Sequence, residues 1–199
     1  MKELSILFIG NSHTYFNDMP LLVKRRAEEE GYTCRVVMQA YPNWFLSQHA
    51  KDQSVRFNIL YGEYDYVVLQ EHAHPLGPEE EFLDAANELS NMIRQAGSTP
   101  VIFECWARKD EPGMQARMNE VYRHVAEKTG ALLAPVGENW WKYKESRPDL
   151  EMYGEDGAHA SPAGSDFVAK QIWKTIFDDI QMQRTQGDGP FVLTTISLL

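Results

Sequence analysis

The stretch ILFIGNSHTYFND, residues 6–18, opens the pattern that decides the fold. Its first four residues form a continuous apolar run, which is typical of a strand covered on both faces of a sheet. The run ends at Gly10, which permits a tight turn, and a row of small polar residues follows. The stretch therefore predicts a buried strand that leads into a turn carrying the hydroxyl of Ser12.

The same alternation continues along the chain. Five short, largely apolar segments are predicted strands: 4–10, 34–40, 65–70, 99–105 and 131–135. Helical patterns with start and stop signals lie between them: 18–30, part of 44–60, 79–96, 112–129 and 162–182. This order predicts an α/β fold, a three-layer αβα domain with a five-stranded, mainly parallel central sheet of the flavodoxin-like type.

The length of 199 residues fits one domain. We expect that domain to span residues 1–183. The remaining segment, 184–199, lies outside the strand and helix pattern and is predicted to be a C-terminal extension. An extra strand, a contact with another subunit and a frayed end are all open for it, and a homo-oligomer is one of the open states.

The charge balance restricts the partners that we expect. Nineteen basic against 29 acidic residues give a net charge of −10, which argues against nucleic acid or a membrane surface as a partner. Cys34 and Cys105 lie in apolar runs and predict buried thiols rather than a disulfide framework. The first residues lack the pattern of a secretory signal, and no apolar run approaches a membrane span. A cytoplasmic location is therefore expected.

The position of Ser12 suggests a functional site. In an open α/β sheet, ligands bind beyond the carboxyl ends of the strands. Ser12 follows the first strand and precedes a helix, whose first backbone N–H groups favour developing negative charge. A serine at this place, considered alone, is better explained as a helix cap.

A second motif lies 144 residues further on, in the stretch EDGAHASPAGSDFVA, 155–169. Asp156 and His159 stand three residues apart just before the last predicted helix. A serine hydroxyl needs a neighbouring imidazole to take its proton, and the imidazole needs a carboxylate to orient it. One short loop supplies both groups. The alternative is that Asp156 caps a turn and His159 is a surface residue.

Taken together, the two motifs resemble the first and last sequence blocks of the SGNH (GDSL-type) hydrolase superfamily. The resemblance covers residues 3–182, with Asn11 where the family usually has aspartate. It implies an esterase or acyl hydrolase without a cofactor, in which Ser12 is the nucleophile, His159 the base and Asp156 its partner.

The middle blocks depart from the family pattern, which has a glycine after the second strand and an asparagine after the third, both oxyanion donors. For the oxyanion hole we expect the Ser12 N–H and a second backbone N–H from Asn43 or Trp44. Gln70, at the end of the third strand, is predicted to be the side-chain donor, and His72 is the alternative.

Other polar and aromatic residues near these strand ends have open roles. The run EHAH, 71–74, lacks a recognisable metal-ligand spacing, so no metal site is predicted. His13, His72 and Trp106 are candidates for substrate contacts. The alternatives are a solvated turn residue for His13 and a core position for Trp106.

The resemblance implies a serine esterase that removes a small, acetyl-like O-acyl group from a small-molecule or carbohydrate ester through an acyl-serine intermediate. Two alternatives remain. One is an acyltransferase that uses the same triad, and the other is a non-catalytic ligand-binding module on the same fold.

Overall fold

The computed structural model describes residues 2–187 of the chain. Five strands form one parallel sheet in the order β2-β1-β3-β4-β5. The strands are β1 (Lys2–Gly10), β2 (Tyr32–Ala40), β3 (Tyr66–Gln70), β4 (Thr99–Phe103) and β5 (Leu132–Ala134). The predicted fold class is confirmed, because helices cover both faces of a five-stranded parallel sheet.

Eight helices surround the sheet in the described part of the chain. They are α1 (Ser12–Tyr15), α2 (Met19–Glu29), α3 (Leu46–Lys51), α4 (Gln53–Tyr61), α5 (Glu79–Gln95), α6 (Met114–Thr129), α7 (Val136–Ser146) and α8 (Pro162–Gly187). A short 3₁₀ turn, Phe16–Asp18, joins α1 to α2. The predicted helices correspond to α2, α5, α6 and α8, whereas α7 was not predicted.

The region predicted to hold one helix within 44–60 forms two. Asp52 separates α3 from α4, and its carboxylate accepts hydrogen bonds from the backbone N–H groups of Ser54 and Val55. That arrangement is an N-cap, which satisfies orphan donors of the first turn. The chain therefore turns at Asp52 and starts a new helix.

The order of the strands positions the site. From β1 the chain passes to β2 on one side and then returns to β3 on the other, so the strand order reverses next to β1. Ligands of open α/β sheets bind at such a reversal, outside the carboxyl ends of the strands. Residues 6–9 of β1 and all of β3 are buried. Their packing holds in place the strand ends that the site residues follow.

The predicted boundary at residue 183 falls inside α8, because residues 184–187 continue that helix. The rest of the predicted extension, 188–199, lies outside the described residues. Cys34 and Cys105 are buried free thiols. Among the helices of residues 2–187, none combines the length and the apolar character that crossing a membrane requires.

Candidate active site

The turn after β1 is shaped by close packing. A Cβ atom at Gly10 would collide with the side chains of Thr14 and Gln70, so only glycine fits there. Asn11 then caps α1, because its Oδ1 accepts a hydrogen bond from the His13 N–H at 3.1 Å. Within residues 2–187 the Ser12 N–H donates no hydrogen bond to the protein. The nucleophile candidate thus sits on a fixed turn with its amide free.

Ser12, His159 and Asp156 come together at this turn. The Nε2 atom of His159 lies 2.7 Å from Ser12 Oγ, and its Nδ1 lies 2.5 Å from Asp156 Oδ2. The second carboxylate oxygen of Asp156 accepts the N–H groups of Ala158 and His159, at 2.9 and 3.0 Å. Each residue of the predicted triad is therefore within hydrogen-bond distance of the next.

The carboxylate of Asp156 is held in its ionised form. Burial alone would raise its pKa, but the hydrogen bonds from His159 and from the two loop amides outweigh burial and hold the pKa well below the ordinary range. An ionised carboxylate beside Nδ1 fixes the imidazole tautomer that leaves Nε2 free to accept the proton of Ser12.

The loop that carries His159 is clamped from the β4–α6 loop. The indole N–H of Trp106 donates to the Ala158 carbonyl at 2.9 Å. The Lys109 N–H donates to Gly157 at 2.9 Å, and the Arg108 guanidinium donates to the carbonyl of Asp156 at 3.3 Å. Three successive carbonyls of the loop are thus held by one neighbouring segment.

Two aromatic side chains contact the ring of His159. Phe16 stacks on it, with ring centroids 4.0 Å apart and an interplanar angle of 11°, and its side chain is 38% exposed. His13 meets the same ring edge-on at 4.7 Å. Sequence analysis missed Phe16, because a phenylalanine four residues after a serine carries no chemical signal of its own.

Trp106 does not lie where it could contact a substrate, contrary to the prediction. It is fully buried, stacks on Trp140 with centroids 4.2 Å apart, and lies against His13 at 5.2 Å. A large indole at the end of a central strand gains more from core packing than from exposure. The structure places Trp106 beneath the site, where it supports the ring of His13 and holds the His159 loop.

The structure corrects the prediction that Gln70 is the side-chain donor of the oxyanion hole. The Gln70 side chain is fully buried, and its Oε1 accepts the Asn11 N–H and the Thr14 hydroxyl, both at 2.8 Å. Its amide nitrogen donates to the carbonyl of Glu71. Gln70 therefore braces the nucleophile turn from below, and its amide does not face a substrate.

The two candidate backbone donors after β2, Asn43 and Trp44, differ in their hydrogen bonds. The Trp44 N–H donates to the Tyr41 carbonyl at 3.2 Å, so it is already engaged. Asn43 is exposed and has a positive φ of 62°, and its N–H makes no hydrogen bond to any residue of the described chain. The geometry favours Asn43 over Trp44 as the second backbone donor.

The histidines near the site have distinct environments. His72 places its Nδ1 2.8 Å from the Pro75 carbonyl of its own loop and stacks on Phe45 of the β2–α3 loop at 4.4 Å, so neither contact is with the triad. His13 is buried, and burial together with neighbouring imidazoles lowers its pKa well below the usual value. His13 thus lies at the centre of the site as a neutral ring, whereas His72 lies at its edge.

The run EHAH does not converge on a metal position. Glu71 is buried and accepts the backbone N–H groups of Leu46 and His72, and burial raises its pKa to about 7. Across residues 2–187, no group of three or more His, Cys, Asp and Glu side chains is arranged to hold a metal ion.

Comparison with known proteins finds similarity in part of the sequence and in the fold. No family profile matches the chain. A segment of 86 residues, 43% of the chain, is 30% identical to GDSL lipase Rv0518 of Mycobacterium tuberculosis (strain ATCC 25618 / H37Rv), and it spans about a third of that lipase (35%).

Solved structures share the whole fold. A protein assigned to the SGNH hydrolases, from Slackia heliotrinireducens, is 26% identical with a TM-score of 0.77, covering 88% of this chain and 100% of that one. A carbohydrate esterase family 3 structure from Talaromyces cellulolyticus is 13% identical with a TM-score of 0.71, covering 90% and 99%. The sequence similarity and the shared fold both support the SGNH (GDSL-type) hydrolase superfamily.

Proposed function

We propose that this protein is a serine esterase that removes a small, acetyl-like O-acyl group from an ester. The observation that carries the proposal is the chain of hydrogen bonds from Ser12 Oγ through His159 to Asp156, at 2.7 and 2.5 Å. Nucleophile, base and orienting carboxylate within such distances are the signature of an activated serine.

In the first half-reaction, Ser12 Oγ attacks the ester carbonyl carbon while His159 Nε2 takes the hydroxyl proton. The carbonyl oxygen becomes an oxyanion, which the N–H groups of Ser12 and Asn43 stabilise. The intermediate collapses when the bond to the alcohol oxygen breaks and His159 gives its proton to the leaving alkoxide. An acyl-Ser12 and a free alcohol result.

In the second half-reaction, a water molecule replaces the alcohol. His159 takes a proton from the water as its oxygen attacks the acyl carbon, and a second tetrahedral intermediate forms. That intermediate expels Ser12 Oγ, which recovers its proton from His159. The carboxylic acid leaves, and the protein returns to its starting state.

A carbohydrate ester is the substrate class that we propose. Tyr41 and Trp44 form a tilted aromatic pair, 4.4 Å between centroids, on the rim after β2. The Trp44 carbonyl accepts a hydrogen bond from Asn11, so this pair adjoins the nucleophile turn. Partly exposed aromatic faces suit the apolar face of a sugar ring. The fold shared with a carbohydrate esterase supports the same class.

Acyl transfer and ligand binding are the competing functions. A transferase would use the same acyl-Ser12 and pass it to an alcohol instead of water. A binding module has no need for Ser12 within hydrogen-bond distance of His159, so the short distance supports an enzyme. The cytoplasmic location and the oligomeric state stay predictions.

Hydrolysis of p-nitrophenyl acetate tests the proposal. We expect Ser12→Ala to lower kcat by as much as about a millionfold, since loss of the nucleophile disables the whole triad. Ser146→Ala, at the end of α7, is the matched control. Equal rates in the native protein and Ser12→Ala would contradict the proposal, and acetylated xylooligosaccharides against longer p-nitrophenyl esters would test the substrate class.

A further inference from the structure

We propose that His74 is the side-chain donor of the oxyanion hole, in the role that asparagine has in the superfamily. The inference rests on the proposed esterase function, since an oxyanion arises only if Ser12 attacks an ester. It deepens that function by assigning a catalytic residue that the family pattern does not supply.

The location of His74 is the first support. It lies in the loop between β3 and α5, and its ring meets the ring of His13 edge-on with centroids 5.0 Å apart. His13 follows the nucleophile directly and contacts the ring of His159 at 4.7 Å. His74 therefore approaches the Ser12–His159 pair from the β3 side of the site.

An unused polar atom is the second support. The Nε2 atom of His74 is buried and has no hydrogen-bond partner among the described residues, and the same holds for the Nδ1 atom of His13. Leaving a buried donor or acceptor unsatisfied costs about 1–3 kcal/mol. A native structure that keeps two such atoms on adjoining rings, one of them next to Ser12 in sequence, is consistent with a ligand that satisfies them.

The charge state of His74 suits a hydrogen-bond donor. Burial lowers its pKa to about 4, and the positive charge of Arg108 and the neighbouring imidazoles of His72 and His159 act in the same direction, while Asp156 opposes them. The ring is therefore neutral at pH 7. A neutral imidazole donates one N–H to a developing oxyanion and does not compete with His159 for the proton of Ser12.

Open space beside His74 is the third support. A cavity of about 360 Å³ borders its ring and is otherwise lined by a mainly apolar set that includes Pro75, Leu76, Ala107, Arg108, Met114 and Met118. Small-molecule sites begin near about 300 Å³. Ser12, His13 and His159 do not line this cavity, so it provides open space on the side of the His74 ring away from the triad.

The other polar side chains of the same segment are already engaged. Gln70 bonds Asn11 and Thr14, and Glu71 accepts two backbone N–H groups. His72 has its Nδ1 at the Pro75 carbonyl and makes no ring contact with His13 or His159. Within residues 70–74, His74 is thus the polar side chain best placed to serve a substrate.

Three variants test the inference on p-nitrophenyl acetate. His74→Ala should lower kcat by about 100- to 1,000-fold, the usual effect of removing one oxyanion donor, with KM nearly unchanged. His74→Asn, which restores an N–H donor of the kind the superfamily uses, should recover activity to within about tenfold of the native protein. His124→Ala, which removes a histidine paired with Glu79 on the surface, is the matched control.

Labelling of Ser12 by a fluorophosphonate, followed by intact mass, gives a second readout. It should slow in His74→Ala and recover in His74→Asn, while the melting temperature by circular dichroism stays within a few degrees. A kcat for His74→Ala within threefold of the native value overturns the inference. So does a His74→Asn variant as slow as His74→Ala, because that result indicates a packing role.

The two proposals fail differently. A native protein that hydrolyses no ester and is not labelled at Ser12 overturns the esterase proposal, and the role of His74 falls with it. A native protein that is active and labelled, with His74→Ala equally active, overturns the role of His74 alone.

Discussion

The side-chain amide of Asn17 donates a hydrogen bond of 2.9 Å to the carbonyl of Ala160, the residue after the proposed base. It also lies 2.9 Å from the hydroxyl of Ser165 in the first turn of α8. The backbone of Asn17 is left-handed, with φ 53° and ψ 31°. One amide therefore ties the segment that carries Ser12 to the loop that carries His159.

Replacement of Asn17 by glycine should loosen the catalytic pair without straining the backbone. Asn17→Gly keeps the left-handed conformation available and removes both hydrogen bonds. We expect kcat to fall by about tenfold and the free energy of unfolding by about 1–2 kcal/mol, measured by ester hydrolysis and urea denaturation.

The companion variant Asn17→Ala separates the effect of the lost side-chain amide from that of the backbone conformation. It lacks the same amide and, in addition, places a Cβ in a left-handed conformation, which costs about 1 kcal/mol or more. It should therefore be less stable than Asn17→Gly. If both variants had native kcat values, the contact with Ala160 would not position His159.

Asp156→Asn should impair catalysis far more than stability. The asparagine amide no longer enforces the imidazole tautomer in which Nε2 accepts a proton, and in a comparable triad this exchange costs about 10,000-fold in kcat. We expect a loss of about 100- to 10,000-fold, with the far-ultraviolet circular dichroism spectrum unchanged. A near-native rate would mean that another group orients His159.

Gln70→Leu tests the bracing role that the structure assigns to Gln70. The variant leaves the buried N–H of Asn11 without an acceptor, so the free energy of unfolding should drop by about 1–3 kcal/mol. Thr14→Val removes only one of the same hydrogen bonds and should cost less. Undiminished stability together with a large loss of kcat would contradict this bracing role.

Glu104 should make stability depend on pH. Glu104 is 1% exposed, and burial raises its pKa to about 7 even though its carboxylate accepts the Glu138 N–H at 3.2 Å. In the unfolded chain the pKa of glutamate is about 4.3. The folded state therefore binds this proton more tightly, and its contribution to stability is lost as the pH rises from about 4.5 through about 7.

Urea unfolding at pH 5 and at pH 8 measures this effect. The native protein should be less stable at pH 8, and Glu104→Gln should show a smaller difference, by on the order of 1–3 kcal/mol, because the amide does not titrate. Glu111→Gln, at an exposed position, is the matched control. An equal pH dependence in both variants would contradict the raised pKa of Glu104.

The fold was predictable from sequence because its signals are local and repeated. All five strands were found, and β3, for example, was predicted as 65–70 and observed as Tyr66–Gln70. The missed helix, α7, starts at Val136 directly after Pro135, so the apolar run of β5 passes into it without a polar interval. A sequence pattern has no signal for a boundary between two apolar elements that adjoin.

The triad of the site was predictable from sequence motifs, but the directions of several neighbouring side chains were not. Ser12 lies at the carboxyl edge of the sheet because it follows β1 directly. Asp156 and His159 lie in the loop before α8 rather than at a strand end, so their closeness to Ser12 was implied by the family resemblance. The roles of Gln70 and Trp106 depended on whether each side chain turns towards the cleft or the core, and strand-end position does not determine that. Asn17 and Phe16 act through contacts across the chain, which no local motif records.

The nucleophile and its proposed base come from opposite ends of the domain, 147 residues apart. During synthesis on the ribosome, the turn with Ser12 emerges first, and the loop with His159 emerges only after the whole sheet. Under the proposed mechanism, a partly made chain carries an unactivated hydroxyl. Hydrolytic reactivity therefore requires the loop that carries His159, which is translated after all five strands, so the order of the elements along the chain sets when the chemistry can begin.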